Sequence, residues 1–371
     1  MAWSDIIGQE RVKTMLRRLW ESGRMPHAML FHGPAGSGKD AVAIELAKTL
    51  NCERSAWDPC GVCPSCARMD ELRHPRFHLV FALPSKPREE SPLEKFSEAE
   101  LEEVKRQIEL KAGNPYHRLT VAKASGIKIS SIREIRHEAA FRSAAAGRTV
   151  VLLSEAERMN EPASNALLKT LEEPSGDLLL ILTTAKRDAL LATIRSRCQQ
   201  IRFDMLHVDV LQEGLVRLFH IPAEKAAQAA LLANGNVIEA LDLASGGLLI
   251  PRAELREYLL DVYKGTPLQL MKRIKTYTDI EDKKVLTVFL TGLAGWFRDV
   301  LAVHEGSPEL IRNTDLRVPI QQFAERFPDA RCAEAIEAIE TTIEMIQKNV
   351  HLVTALIVLS HRLRHCIAPG A

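Results

Sequence analysis

The chain has 371 residues, with 49 Lys+Arg against 48 Asp+Glu, 46% apolar residues and 5% aromatics. That length and apolar share suit two or three soluble domains with cores of their own. A net charge of +1 excludes a freestanding, high-affinity nucleic-acid binder, and so few aromatics exclude base stacking as a main binding mode.

Met1–Gln9 carries Asp5 and has no apolar stretch, so it does not read as a secretory signal. The longest apolar runs, such as Leu178–Leu182, are strand-length and fall far short of the roughly 18 residues of a spanning helix. A cytoplasmic chain with no membrane part is expected. His27–His32 reads as a short apolar strand that runs into Gly33-Pro-Ala-Gly-Ser-Gly-Lys39-Asp40, and helical periodicity follows over Asp40–Leu50. Strand, glycine-rich turn and helix are the context of a P-loop. Gly33, Gly36, Ser37 and Gly38 let backbone N–H groups curl around phosphate, and Lys39 reaches the terminal phosphates. The last position calls for a Ser or Thr hydroxyl on Mg²⁺, whereas this chain has Asp40. A carboxylate there can ligate Mg²⁺ but sets negative charge near the phosphates. ATP and Mg²⁺ binding stays open through Lys39, efficient hydrolysis is not expected, and a P-loop that is now only a structural turn is the other reading.

Next come Cys52, Cys60, Cys63 and Cys66, in a turn-rich run with two short C-x2-C spacings. Four thiolates at this spacing close a tetrahedral structural Zn²⁺ site and leave no open position for catalysis. An iron–sulfur cluster or a redox dithiol are the alternatives. Residues 82–125 change character: Pro84, Pro87, Pro92 and Pro115 punctuate them, and Lys86–Lys111 holds eight Glu and six Lys/Arg. They read as a mobile surface insertion, a solvated decoration rather than a partner contact, with Glu98–Leu110 as an exposed charged helix. Val150–Leu153 and Leu178–Leu182 are further strands of a parallel sheet buried on both faces. Ser154 stands where the strand of a nucleotide site ends in a metal-holding Asp, which leaves Glu155 as a weak candidate base. Arg197, in Ser196-Arg197-Cys198, is either a solvated arginine or a finger directed at a neighbour's phosphates. From about Asp204 no strand pattern persists. Residues 207–247 read as a small helical unit ending in Gly246-Gly247, and 251–371 as a helical bundle including Lys284–Val303 and Cys332–Ile346.

Asp5-Ile-Ile-Gly-Gln9, Pro26-His-Ala28, the P-loop, the four-cysteine module, Asn165-Ala-Leu-Leu-Lys-Thr-Leu-Glu-Glu-Pro174 and Ser196-Arg-Cys198 together resemble the AAA+ clamp-loader subunits of bacterial DNA polymerase III. The similarity covers most of 1–205, the insertion apart, and weakens in the helical remainder. It implies an α/β P-loop AAA+ core over 1–205 with an inserted zinc module at 52–66. A small helical lid domain over 206–248 and an all-α collar domain that oligomerises over 249–371 would follow. Asp40, Ser154 and Ile238, the last at the position of a lid arginine, depart from the ATPase subunits gamma/tau. Together with the collar-like run Asn349–Ile357, they resemble the family's stator. Such a subunit joins gamma/tau and delta in a hetero-oligomer of the DNA polymerase III holoenzyme, a DNA-directed DNA polymerase and nucleotidyltransferase. The assembly loads the sliding clamp on primer-template DNA, and Arg197 serves the ATP site of an adjacent subunit. The competing readings are an active gamma/tau-type ATPase and a zinc-bearing nucleic-acid-binding module.

Overall fold

The computed structural model describes residues 2–86, 91–140, 147–174, 177–245, 252–278, 283–311, 313, 316–347 and 350–368. The chain divides into two compact units, Met1–Asp242 and Leu243–Ala371.

The first unit is built on a parallel sheet of β1 (Ala28–His32), β2 (Phe77–Val80), β3 (Thr149–Leu153), β4 (Leu178–Thr184) and β5 (Gln199–Arg202), ordered β2-β3-β4-β1-β5. Alternation along the strands sorts two cores. Met29, Phe31, Val150, Leu152, Leu179 and Ile181 face one side. Ala28, Leu30, Val151, Leu153, Leu180 and Leu182 face the other. Helices α1 (Glu10–Glu21) and α2 (Lys39–Asn51) cover the first side with Val12, Leu16, Val42 and Leu46. The short α3 (Pro64–Asp70) packs against α2, and α4 (Glu98–Gly113) belongs to the insertion. The second side lies under α5 (Ile129–Ala140) and α6 (Glu161–Glu172), through Ile132, Ile135, Leu167 and Leu171. A single turn, α7 (Ala192–Arg195), precedes β5, and α8 (Val208–Phe219), α9 (Ala223–Leu232) and α10 (Val237–Ser245) follow it. The three expected strands form. β2 and β5 escape the pattern because they are edge strands, and β5 buries only Ile201.

The insertion corrects its reading as a solvated decoration. Phe81, Leu83, Phe96, Val104 and Leu119 form a small apolar cluster of their own. Lys111 and Tyr116 are 2% and 5% exposed. The reason is helical geometry: Val104, Gln107 and Lys111 share one inward face of α4, while the glutamates that dominate its composition point outward. Residues 87–90 of this segment lie outside the described residues, as do Gly246-Gly247 and Asn349.

The second unit packs α11 (Arg252–Lys264), α12 (Pro267–Thr278), α13 (Lys283–His304), α14 (Arg317–Arg326), α15 (Cys332–Gln347) and α16 (Leu352–Ile367) around one apolar core. Val285–His304 is long and apolar enough to cross a membrane by length and composition, which corrects the expectation of strand-length runs only. In this fold it is the central core helix: Phe289, Leu290, Leu293, Phe297 and Val300 are buried against Ile339, Leu359 and Leu363. Its buried Asp299 accepts hydrogen bonds from the Asn313 backbone N–H at 2.9 Å and from Asn313 Nδ2 at 2.7 Å.

Candidate functional site

The order of the sheet sets β4 between β1 and β3, so the C-terminal ends of these three strands lie side by side. Beyond those ends is a pocket of about 550 Å³, the usual place for a ligand on an open parallel sheet. Gly36, Gly38, Lys39 and Asp40 line it, together with Ser154, Glu155 and Thr183. Gly33 and Ser37 do not; Ser37 is fully buried and donates to the Pro34 carbonyl at 2.8 Å. Gly36, at φ +69°, admits no side chain, since a Cβ would stand 1.6 Å from Asn236 Oδ1. The Val237 N–H donates to the Gly36 carbonyl at 3.0 Å. Ile238 also lines the pocket, so α10 presents an apolar side chain there.

Lys39 turns back on its own loop, donating to the carbonyls of Gly33 at 2.9 Å and Pro34 at 2.6 Å. Burial pulls its ammonium down to about 8. Asp40, in the first turn of α2, is bonded on both oxygens. Oδ2 accepts from Lys111 Nζ at 2.9 Å and Ser154 Oγ at 2.7 Å, and Oδ1 accepts from Thr183 Oγ1 at 2.7 Å. Burial would raise its carboxyl, but the Lys111 charge and the two hydroxyls outweigh burial and hold it below the ordinary carboxylate value. Glu155, in a left-handed backbone conformation, is paired with Arg118 Nε at 2.6 Å and Arg158 Nη1 at 3.4 Å. Both of its carboxylate oxygens are thus engaged by guanidinium groups.

Sequence reasoning missed Lys111, Tyr116, Arg118 and Thr183. Three of these belong to the insertion, and no local pattern announces them. Thr183 had a usable signal, as a hydroxyl at the C-terminal end of an apolar strand next to a P-loop strand. Arg197 does not line the pocket. Its guanidinium is 2.8 Å from Glu172 Oε1 and donates to the Thr193 carbonyl at 3.1 Å, with the side chain 37% exposed.

The four cysteines meet in a second place. Their Sγ atoms all lie within 4.8 Å of one another and can hold a metal ion. Cys60 and Cys66 Sγ are 3.9 Å apart, close to the about 3.8 Å edge of a tetrahedron with 2.3 Å Zn–S bonds. Backbone N–H groups of Cys60, Cys63 and Cys66 donate to the sulfurs of Cys52, Cys60 and Cys63 at 3.3, 3.4 and 3.4 Å. The N–H groups of Val62 and Cys63 hold the Cys60 thiol below its ordinary value, whereas burial raises that of Cys66. The donor set fits a structural tetrahedral ion. Ser65 and His74 brace the knuckle at 2.9 Å, and Trp57, between Cys52 and Cys60, stacks on Trp3 with centroids 4.4 Å apart.

The family model described as DNA polymerase III, delta subunit, matches residues 8–207. DNA polymerase III subunit delta' of Bacillus subtilis is 26% identical over 359 residues, 93% of this chain and 92% of that protein. The delta' subunit of Pseudomonas aeruginosa is 32% identical over 233 residues, 62% of this chain and 60% of its own length. The tau subunit of Salmonella typhimurium is 26% identical over 294 residues, 77% of this chain but 39% of that longer protein.

Proposed function

Since the chain belongs to the DNA polymerase III delta-subunit family, we propose that it acts as the delta prime type of clamp-loader subunit, a stator that assists a neighbouring ATPase and turns over no ATP itself. The observation that carries this reading is the neutralised P-loop. Asp40 is bonded on both oxygens, Glu155 is paired twice, and Lys39 donates to its own loop. No carboxylate among them is left to hold a metal or to activate water.

In this reading residues 1–205 are the AAA+ core, 206–248 a lid and 249–371 a collar that assembles with gamma/tau and delta. The assembly places the sliding clamp on primer-template DNA. Cys52, Cys60, Cys63 and Cys66 hold a structural Zn²⁺, which would tie the turn-rich 52–66 segment to α2 and α3. Arg197 reaches the phosphates bound by the adjacent ATPase subunit. Its bond to Glu172 is no obstacle, because an exposed ion pair is worth at most about 1 kcal/mol, whereas a finger on a transferring phosphoryl group contributes far more.

Arg197→Ala is therefore expected to lower the DNA-stimulated ATPase of the assembled loader several-fold, with subunit stoichiometry unchanged on size-exclusion chromatography. Unchanged turnover in a complex of normal composition would remove Arg197 from this role. Steady-state ATP turnover by the isolated chain at the rate of a gamma/tau subunit would favour the active-ATPase reading instead.

A further inference from the structure

A nucleotide-hydrolysing P-loop needs a divalent cation bridged between the loop's hydroxyl, the end of the neighbouring strand and the phosphates. The groups that would surround such an ion here are Asp40 at the loop position, Ser154 at the end of β3 and Thr183 at the end of β4. Both hydroxyls are already bonded to Asp40, and the positive charge bonded to that carboxylate is an ammonium. Lys111 Nζ lies 2.9 Å from Asp40 Oδ2 and 2.8 Å from the His117 carbonyl, on a side chain only 2% exposed.

We infer that Lys111 is the built-in cation of this P-loop, and that the 82–125 insertion serves to place it, making the site selective against divalent metal. The inference rests on the reading that this P-loop does not hydrolyse ATP, and adds the reason. Mg²⁺ requires near-octahedral oxygens at about 2.0–2.1 Å. An ammonium bonded to the same carboxylate fills that space, and like charge opposes a second cation beside it. The groups around Nζ suit an ammonium: one carboxylate oxygen and one carbonyl accept from it, and the hydroxyls of Ser154 and Thr183 each donate to Asp40 as well.

Two further contacts from the same segment agree. Tyr116 reaches under the P-loop, within 3.3 Å of where a Cβ on Gly38 would be, and its hydroxyl accepts the Ile7 N–H at 2.7 Å. Arg118 closes on Glu155 at 2.6 Å. Over eight residues the insertion thus meets the loop's carboxylate, its last glycine and Glu155, two positions past β3. The charges facing Asp40 and Lys111 around the pocket are Lys39, Arg118, Glu155, Glu157, Arg158 and Lys186.

Titrations on the full chain test this, with ADP as the nucleotide and Mg²⁺, or Mn²⁺ for its paramagnetic signal, as the metal. For the wild type, ADP affinity is expected to be the same in MgCl₂ as in EDTA, with no ADP-dependent Mn²⁺ retained. Asp40→Thr alone restores the motif hydroxyl but leaves Lys111, so no metal dependence is expected. Asp40→Thr with Lys111→Met removes both charges together, and ADP should then bind about tenfold or more tightly with Mg²⁺ than without. One ADP-dependent Mn²⁺ per wild-type chain overturns the inference. So does equal metal dependence in the single and double variants, or a folded double variant that gains none. If the variants do not fold, the wild-type Mn²⁺ measurement decides alone. Arg197 is untouched throughout, so a failure here leaves the assembled-loader experiment standing, and the reverse also holds.

Discussion

Chelating the metal from the reduced chain is expected to shift tryptophan emission to the red and to lower the melting temperature of the first unit by roughly 10 °C. Trp57 sits inside the loop that Cys52 and Cys60 close. It is 8% exposed and stacks on Trp3, while Trp20 lies 6.2 Å from it. Trp3 Nε1 donates to the Trp57 carbonyl at 3.1 Å and to Thr49 Oγ1 at 3.0 Å. Three of the chain's four tryptophans therefore report on one knuckle. The loop has little apolar content of its own, so on the zinc reading its local order depends on the ion. Removal should cost on the order of 3 kcal/mol, and about 3 °C per kcal/mol applies to a unit of this size. Metal analysis before chelation should give about one zinc per chain. An emission maximum and a melting curve that stay put after the metal is stripped would reject a structural ion.

The second large effect belongs to Glu45. It is fully buried on α2, and neither carboxylate oxygen has a hydrogen-bond partner. Burial pushes its carboxyl up to about 8, against a smaller opposing pull from Lys48. The folded state thus holds a proton that the unfolded chain releases near 4.5. Stability is fully present below about pH 4.5 and is lost as pH rises to about 8, by on the order of 4 kcal/mol. Glu45→Gln keeps the shape and removes the titration. Urea midpoints compared between pH 5 and pH 8.5 should fall for the wild type relative to this variant. Parallel pH curves for the two chains would show that Glu45 is ionised and compensated in the fold. The comparison also cancels His32, His74 and His117, whose imidazoles burial lowers and whose costs appear on the acid side.

Local chemistry made much of the first unit legible. The glycine spacing of the P-loop, the cysteine spacing and the apolar runs at β1, β3 and β4 each state their structure within a dozen residues. β5 did not, because an edge strand with one buried residue has no apolar run to display. Lys111 shows a deeper limit. It pairs with a residue 71 positions away, and in sequence it is one more charge in a charged helix. Its burial follows from which face of α4 meets α2, and that is decided by packing. Asp40 was legible as a departure from the motif, but nothing near it in sequence names Lys111 as its counter-charge. The Glu172 partner of Arg197 was present in the quoted Leu-Glu-Glu-Pro run, but only the fold brings α6 against the turn after α7.

The tight seat of Gly36 against Asn236 has a consequence for measurement. The Val237 amide at the start of α10 is hydrogen-bonded to the phosphate loop itself. The loop cannot uncurl to admit a ligand, nor α10 swing away, without releasing that one proton to solvent. Hydrogen exchange at Val237 is thus a strain gauge built into the molecule. Its protection factor reads the equilibrium by which loop and helix part, with no nucleotide, label or partner added.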